Sequence, residues 1–500
     1  MNVRKLTRRH FLSLSAAGAV GASVIAACGA TPTPQVIEKV VTSVVEKEVT
    51  KIVAGTPQVV KETVIVPATP QVVEETVVVT QVSRPPEVVW TSWATDTFGM
   101  FRVEEQAAQF RQKYPDIVVQ IRNVASSSYR ERLLTTLAAG AGPDVYRLCT
   151  DSELAFYKDG QCEQLDPWFE KQKDSWFWTD DVNKTIVDAH RIKDKLWFYP
   201  MALDVQAFCI NKTLFEQAGL PLPPMSYKSA DYKSVWTYEK YLDTVKALTK
   251  FAADGTPQQF GTTVYPDYYY LHDIITSKTG RFWMSDDGSQ FLGADPAVTE
   301  AIQWYADIRL VHKAAPTPEQ SKGGAFDYSA GRLALDWQFA TWLCYGEKNV
   351  GDRFDWDIAP LPHWGDGNPG LFPEPCVWVF NPHSKVKDAT WTFFHWLVGP
   401  EGVRVPTELA WEIPIYKSVE PYFGKRIPTG KNLSLGPEGV SIASSNYFWL
   451  KNLNFFEAWS SVMEPALEEV LLGSKTAQEA MTAIKPQMDK VLQEGKAAMA

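Results

Sequence analysis

Between residues 29 and 86 the chain contains no aromatic residue. The segment is Val, Thr, Glu, Lys and Pro, and it stops at Pro85-Pro86. Without large rings it has no anchors from which to build a core. Pro32, Pro34, Pro57, Pro67 and Pro70 interrupt any helix, and the β-branched residues favour extended backbone. Thr-Pro-Gln-Val recurs at 33–36, 56–59 and 69–72, with unequal spacing that argues against a solenoid. The expected form of 29–86 is therefore an extended low-complexity stalk. Val36, Val40 and Val44 share helical spacing, so a Val-rich helix or coiled coil between the prolines is the alternative.

Upstream of the stalk, 1–28 reads as an export address. Arg4, Lys5, Arg8 and Arg9 precede an uncharged apolar run from Phe11 to Ala27, a little short for a membrane span of ~20 residues. Thr7-Arg8-Arg9-His10-Phe11-Leu12 resembles the twin-arginine export pattern, in which Arg8 and Arg9 are read together. Ile25-Ala26-Ala27-Cys28 resembles the lipobox of bacterial lipoproteins, with Cys28 the acylated thiol. The expectation is export by the twin-arginine route, cleavage before Cys28, and lipid anchoring on the extracytoplasmic face of the cell membrane. An ordinary N-terminal anchor helix is the alternative.

Cleavage removes four positive charges and no negative ones, taking the formal charge from −10 to about −14. Such a balance excludes nucleic acid as the expected partner. Five cysteines remain: Cys149, Cys162, Cys209, Cys344 and Cys376. The odd number leaves at least one unpaired, and no Cys-x-x-Cys invites a metal. Cys149 with Cys162 is a permitted pair in an exported protein, and buried free thiols are the alternative.

Beyond Pro86 the pattern alternates. Val88–Trp93 reads as a strand, and Val103, Ala107, Phe110 and Tyr114 mark a helix stopped by Pro115. Ile117–Val124 is a second strand, Tyr129, Leu133 and Leu137 a second helix, and Pro143–Leu148 a third strand. Further strands are expected at Phe260–Val264 and Leu333–Leu335. At the C-terminus Thr476 and Glu479 form a capping box before a helix with Ala480, Ile484, Met488 and Val491 on one face. Alternating strands and helices imply an α/β layer with a parallel sheet.

No phosphate loop, dinucleotide fingerprint, nucleophile elbow or His-Glu-x-x-His occurs. The seven His are scattered, so no cofactor and no metal is expected. A pair of catalytic carboxylates has no specific candidate. What stands out is aromatic residues beside polar ones near strand ends, where ligands of open α/β sheets bind. These are Trp93 with Asp96, Ser127 with Tyr129, Asp151, Tyr265 with Asp267, and Trp337 with Trp342. Rings for C–H faces and carboxylates for hydroxyls suit a sugar.

These residues resemble the extracellular solute-binding proteins of ABC importers, the branch that includes the maltose-binding proteins. The resemblance covers nearly all of 87–500. It is carried by Phe110 with Tyr114-Pro115, by Ala139-Gly140 with Asp144-Val145, and by Leu196-Trp197-Phe198-Tyr199-Pro200. It continues through Gly331-Arg332-Leu333, Phe354-Asp355-Trp356-Asp357-Ile358-Ala359-Pro360-Leu361-Pro362, Pro400-Glu401-Gly402 and Ile413-Pro414-Ile415. The chain departs from the pattern at Trp378-Val379-Phe380, at Trp411-Glu412 and at Cys209.

The resemblance implies a two-lobed periplasmic-binding-protein type II fold with three interlobe crossings. Lobe one would comprise 87–203 plus 374–411, and lobe two 204–373 plus 412–500. A sugar would lie between them. Trp93, Trp337, Trp378 and Trp411 would stack on it, with Trp342. Asp96, Asp151, Asp204 and Asp267 would accept from hydroxyls, and Ser127, Tyr129 and Tyr265 would add polar contacts. The implied partners are a small solute and the membrane subunits of an ABC permease, with the protein itself a monomer. The rival readings are a non-sugar solute (peptide, polyamine or phosphodiester), an exported polysaccharide-active enzyme, and a lipoprotein that recognises another protein.

Overall fold

The computed structural model describes residues 38–41, 60–64, 73–77, 84–92, 99–124, 126–149, 152–371, 374–443 and 447–499. The export signal with Arg8, Arg9 and Cys28 lies outside the described residues, as do Trp93, Asp96 and Asp151. The chain divides into two compact units, Met1–Arg84 and Pro85–Ala500.

In the first unit three short strands follow the three Thr-Pro-Gln-Val repeats: Glu38–Val41, Val60–Val64 and Val73–Val77. The first two pair in parallel and the last two antiparallel. The described part of this region is thus strand rather than helix, as β-branched composition favours.

The second unit holds two principal sheets. The larger has six strands in the order Ile413–Pro414, Tyr199–Asp204, Glu374–Phe380, Val145–Leu148, Glu87–Thr91 and Val118–Ile121. Glu87–Thr91 runs parallel to both of its neighbours, and Glu374–Phe380 antiparallel to both of its own. The smaller sheet is antiparallel, with Gln206–Asn211 between Leu335–Phe339 and Trp356–Ala359. Only Val205 separates the end of one large-sheet strand from the start of the central small-sheet strand.

Local chemistry accounts for the elements that frame the cleft. Helix Met100–Lys113 buries Val103, Ala107 and Phe110, and ends where Tyr114 N–H bonds back to the Phe110 carbonyl before Pro115. The capping box is reciprocal: Glu479 N–H donates to Thr476 Oγ1 and Thr476 N–H donates to Glu479 Oε2. The strand expected over Phe260–Val264 is displaced. Regular pairing covers Pro257–Gln259, and Phe260 makes a single bridge to Leu333. Beyond it Thr262 N–H is taken by the Ala314 carbonyl and the Val264 carbonyl by Arg309, so neither joins a ladder. Leu335–Phe339 likewise begins two residues later than expected.

Candidate functional site

A cavity of about 260 Å³ lies between the two sheets. The large-sheet side contributes Arg147, Asp204, Glu374, Trp411, Glu412 and the Cys149–Cys376 disulfide. The small-sheet side contributes Gln338, Phe339, Thr341, Trp342 and Tyr345. Both sets come from sheet strands and the segments beside them.

Asp204 closes strand Tyr199–Asp204. Its Oδ1 accepts from Val205 N–H at 2.8 Å and from Thr341 N–H at 3.3 Å, and its Oδ2 accepts from the Thr341 hydroxyl. Burial holds this carboxyl well above the usual range, with Glu374 reinforcing the shift against the Thr341 bonds. A second contact joins the sides: Tyr269 OH donates to Glu374 Oε1 at 2.6 Å.

Trp411 is 8% exposed, and its ring has Arg102 4.5 Å from its centroid and the Tyr345 ring at 4.8 Å. Gly99 permits this seating, because a Cβ there would stand 2.9 Å from the indole, and its φ of +91° suits glycine alone. Burial pushes the Arg102 guanidinium down to about 10, with Arg147 adding to that and Glu412 opposing it. Arg147 and Glu412 pair at 2.6 Å, each side chain only 5% exposed. The two arginines therefore have an acidic neighbour within the wall itself.

On the other side Asp336 supports the surface from below. It accepts from Gln338 at 2.9 Å, Thr263 at 2.9 Å and Tyr265 at 3.0 Å. Burial raises its carboxyl to about 6 against those three bonds.

The expected site residues divide sharply. Asp204, Trp342 and Trp411 line the cavity together. Trp337 does not: it is 0% exposed, ringed by Phe208, Tyr270 and Tyr305 at 5.2, 5.5 and 6.1 Å. Trp378 is also core, packed 5.6 Å from Trp90 with its indole N–H on Met201 sulfur. Along its strand, Glu374 and Cys376 reach the cavity while Trp378 sits deeper on the same face, beneath Arg147. Tyr129 is buried; its OH donates to the Arg147 carbonyl and accepts from Arg147 N–H, so it braces a cavity residue rather than touching the space. Asp267 caps helix Tyr268–Thr279 by accepting from Tyr269 N–H, and Tyr265 holds Asp336. The Ser127 side chain lies outside the described residues.

The question left open over Cys149 and Cys162 is answered by a third cysteine, Cys376. Val377 opposes Leu148, which brings Cys149 opposite Cys376 with Cα atoms 4.5 Å apart. Cys162 remains a free thiol in the core, where burial pushes its pKa up. Sequence reasoning missed Arg147, Glu374, Glu412, Tyr269, Thr341 and Tyr345. Only Glu412 had a signal, as half of the Trp411-Glu412 departure.

Similar architecture occurs in solved structures. An ABC substrate-binding protein of Listeria monocytogenes, in complex with cycloalternan, covers 81% of this chain and 99% of its own at 19% identity and TM-score 0.68. An ABC transporter solute-binding protein of Thermotoga lettingae, bound to α-D-tagatose, covers 81% and 100% at 17% identity and TM-score 0.66. UgpB of Mycobacterium tuberculosis, in complex with glycerophosphocholine, covers 82% and 98% at 16% identity and TM-score 0.67. At these identities the likeness establishes the fold, a two-lobed α/β architecture. The model of the bacterial extracellular solute-binding proteins matches residues 102–404. Those residues include both sheets' central strands and most of the cavity wall, and the chain belongs to that family.

Proposed function

We propose that this protein is the membrane-anchored, extracytoplasmic binding component of an ABC importer, and that its solute is a small carbohydrate. The observation that carries this reading is the composition of the cavity. Trp342, Trp411 and Tyr345 offer rings, while Asp204, Glu374 and Gln338 offer polar groups for hydroxyls. The buried Arg147–Glu412 pair compensates its own charges, which favours a neutral, hydroxyl-rich solute over an ion. A space of about 260 Å³ suits a short saccharide rather than a long chain.

Capture would be a hinge motion about the crossings, including Val205. Solute touching both sides stabilises the closed form by its differential affinity. The Asp204–Thr341 and Tyr269–Glu374 contacts, already made in this structure, would help to hold that closed form. The closed lobes would then present the solute to the permease, and no bond in it is made or broken. Arg8, Arg9 and Cys28 would supply export and lipid attachment, and 29–86 the spacer.

A second reading is a phosphodiester bearing a quaternary amine. The glycerophosphocholine complex of a structural neighbour favours it, as do rings beside carboxylates, which suit a cation. Thermal-shift measurement of the full chain against mono-, di- and oligosaccharides and glycerophosphocholine separates the two. A solute at 100 times its dissociation constant adds about 2.7 kcal/mol of stability. A shift from one sugar class, with the sugar recovered intact, supports the proposal. A shift from glycerophosphocholine alone replaces the sugar, and a cleaved sugar replaces the binding protein with an enzyme.

A further inference from the structure

The wall of the cavity holds a group that sugar binding does not require. Cys149 and Cys376 face each other across antiparallel strands, and Glu374 lies two residues from Cys376 on the same face. One ligand atom from each, the two Sγ and a carboxylate oxygen, all lie within 4.8 Å of one another. All three residues line the cavity, so the group has an entry path from solvent. The remaining described cysteines differ: Cys162 and Cys209 are buried free thiols in cores, and Cys344 is a half-buried free thiol outside the trio. Among the described residues no other trio of His, Cys, Asp or Glu converges in this way.

We propose that reduction of the Cys149–Cys376 bridge converts this group into a binding site for one thiophilic divalent cation of the zinc or cadmium class. A disulfide in the wall of an open cavity is reachable by a small dithiol. That dithiol supplies two electrons and two protons: its own sulfurs join, the Cys149–Cys376 bond breaks, and each Sγ becomes a thiol. Metal binding then releases both protons and changes no oxidation state. Tetrahedral ligation asks for sulfurs about 3.8 Å apart, a separation the freed side chains reach by rotating about Cβ. Two thiolates and one carboxylate leave a fourth position for water, the usual arrangement of an open three-ligand site.

The test uses the full-length protein with cadmium as the probe, followed by thiolate-to-metal charge-transfer absorbance. After reduction and removal of the reductant, one cadmium per chain is expected, against none for the oxidised protein. Cys149→Ser and Cys376→Ser each remove the band, and the double variant measures any background from the other cysteines. Glu374→Gln keeps both thiols and the bridge, and is expected to weaken binding at least about tenfold after reduction. A band undiminished in the double serine variant overturns the proposal, as does equal uptake by the oxidised chain. An unchanged affinity in Glu374→Gln overturns the three-ligand site even where a serine variant fails to fold. Solute binding by the oxidised protein is a separate readout, so failure of the carbohydrate reading leaves this result standing.

Discussion

The two sides of the cavity are built from different chemistry. The large-sheet side concentrates charge: Arg147 paired to Glu412, Glu374 at a strand start, Asp204 at a strand end, and Arg102 behind Trp411. The small-sheet side presents no charged residue to the space; its carboxyl, Asp336, is buried beneath Gln338. The first side is an electrostatic frame whose charges largely compensate each other. The second is a surface of rings and neutral polar groups. The difference teaches that the Arg147–Glu412 ion pair here holds the architecture, while the rings and the remaining polar groups of both sides are left for the solute.

The largest effect expected from breaking this contrast comes from Glu412→Ala. It leaves Arg147 charged and buried, and about 3–5 kcal/mol of stability should be lost in urea denaturation. Replacing both partners by apolar residues, Arg147→Met with Glu412→Leu, should cost much less. An equal cost would mean that the pair contributes more than mutual compensation.

The buried carboxyl on the other side gives a pH signature. Asp336 is raised from 3.8 to about 6, so the folded state holds a proton that the unfolded state has already released. Its contribution to stability is fully present below about pH 4 and is lost as pH rises through about 6, by at most about 3 kcal/mol. Asp336→Asn should flatten that segment of the stability-against-pH curve. A wild-type curve already flat between those values would remove the shift.

Trp411→Ala should weaken solute binding by about 2 kcal/mol in calorimetric titration, because the ring is held between Arg102 and Tyr345 and faces the cavity. Trp337→Ala should instead leave the affinity of the folded protein unchanged and lower stability by about 3–5 kcal/mol. Reversed outcomes would exchange the roles of these two tryptophans. The smallest effect belongs to Tyr269→Phe. It deletes one hydrogen bond between the sides and should weaken solute affinity by about 1.5 kcal/mol, with little change in stability.

Much of the scaffold was legible from local pattern. The helix ending at Tyr114-Pro115 and the Thr476–Glu479 capping box depend on neighbours within a few residues, and both occur as read. Strand-end reasoning named Trp342, and the resemblance named Asp204 and Trp411; the structure brings the three to one cavity. Trp337, read from its strand end, and Trp378, implied by the resemblance, lie in the core instead, because composition does not reveal how deep along a strand the core extends. Local pattern failed at Phe260–Val264 because Ala314 and Arg309, distant in the chain, claim the backbone groups.

What the sequence determined by itself is therefore local or ordered along the chain: the aromatic-free region to residue 86, the alternation of strands and helices, and the succession of motifs marking the family. Only the tertiary structure decided the pairings. Arg147 meets Glu412, Tyr269 meets Glu374, and Cys149 meets Cys376 across a sequence separation of 227. Sheet register and the meeting of the two sides choose those partners. No residue's own composition or spacing encodes which distant side chain will face it once the strands are paired.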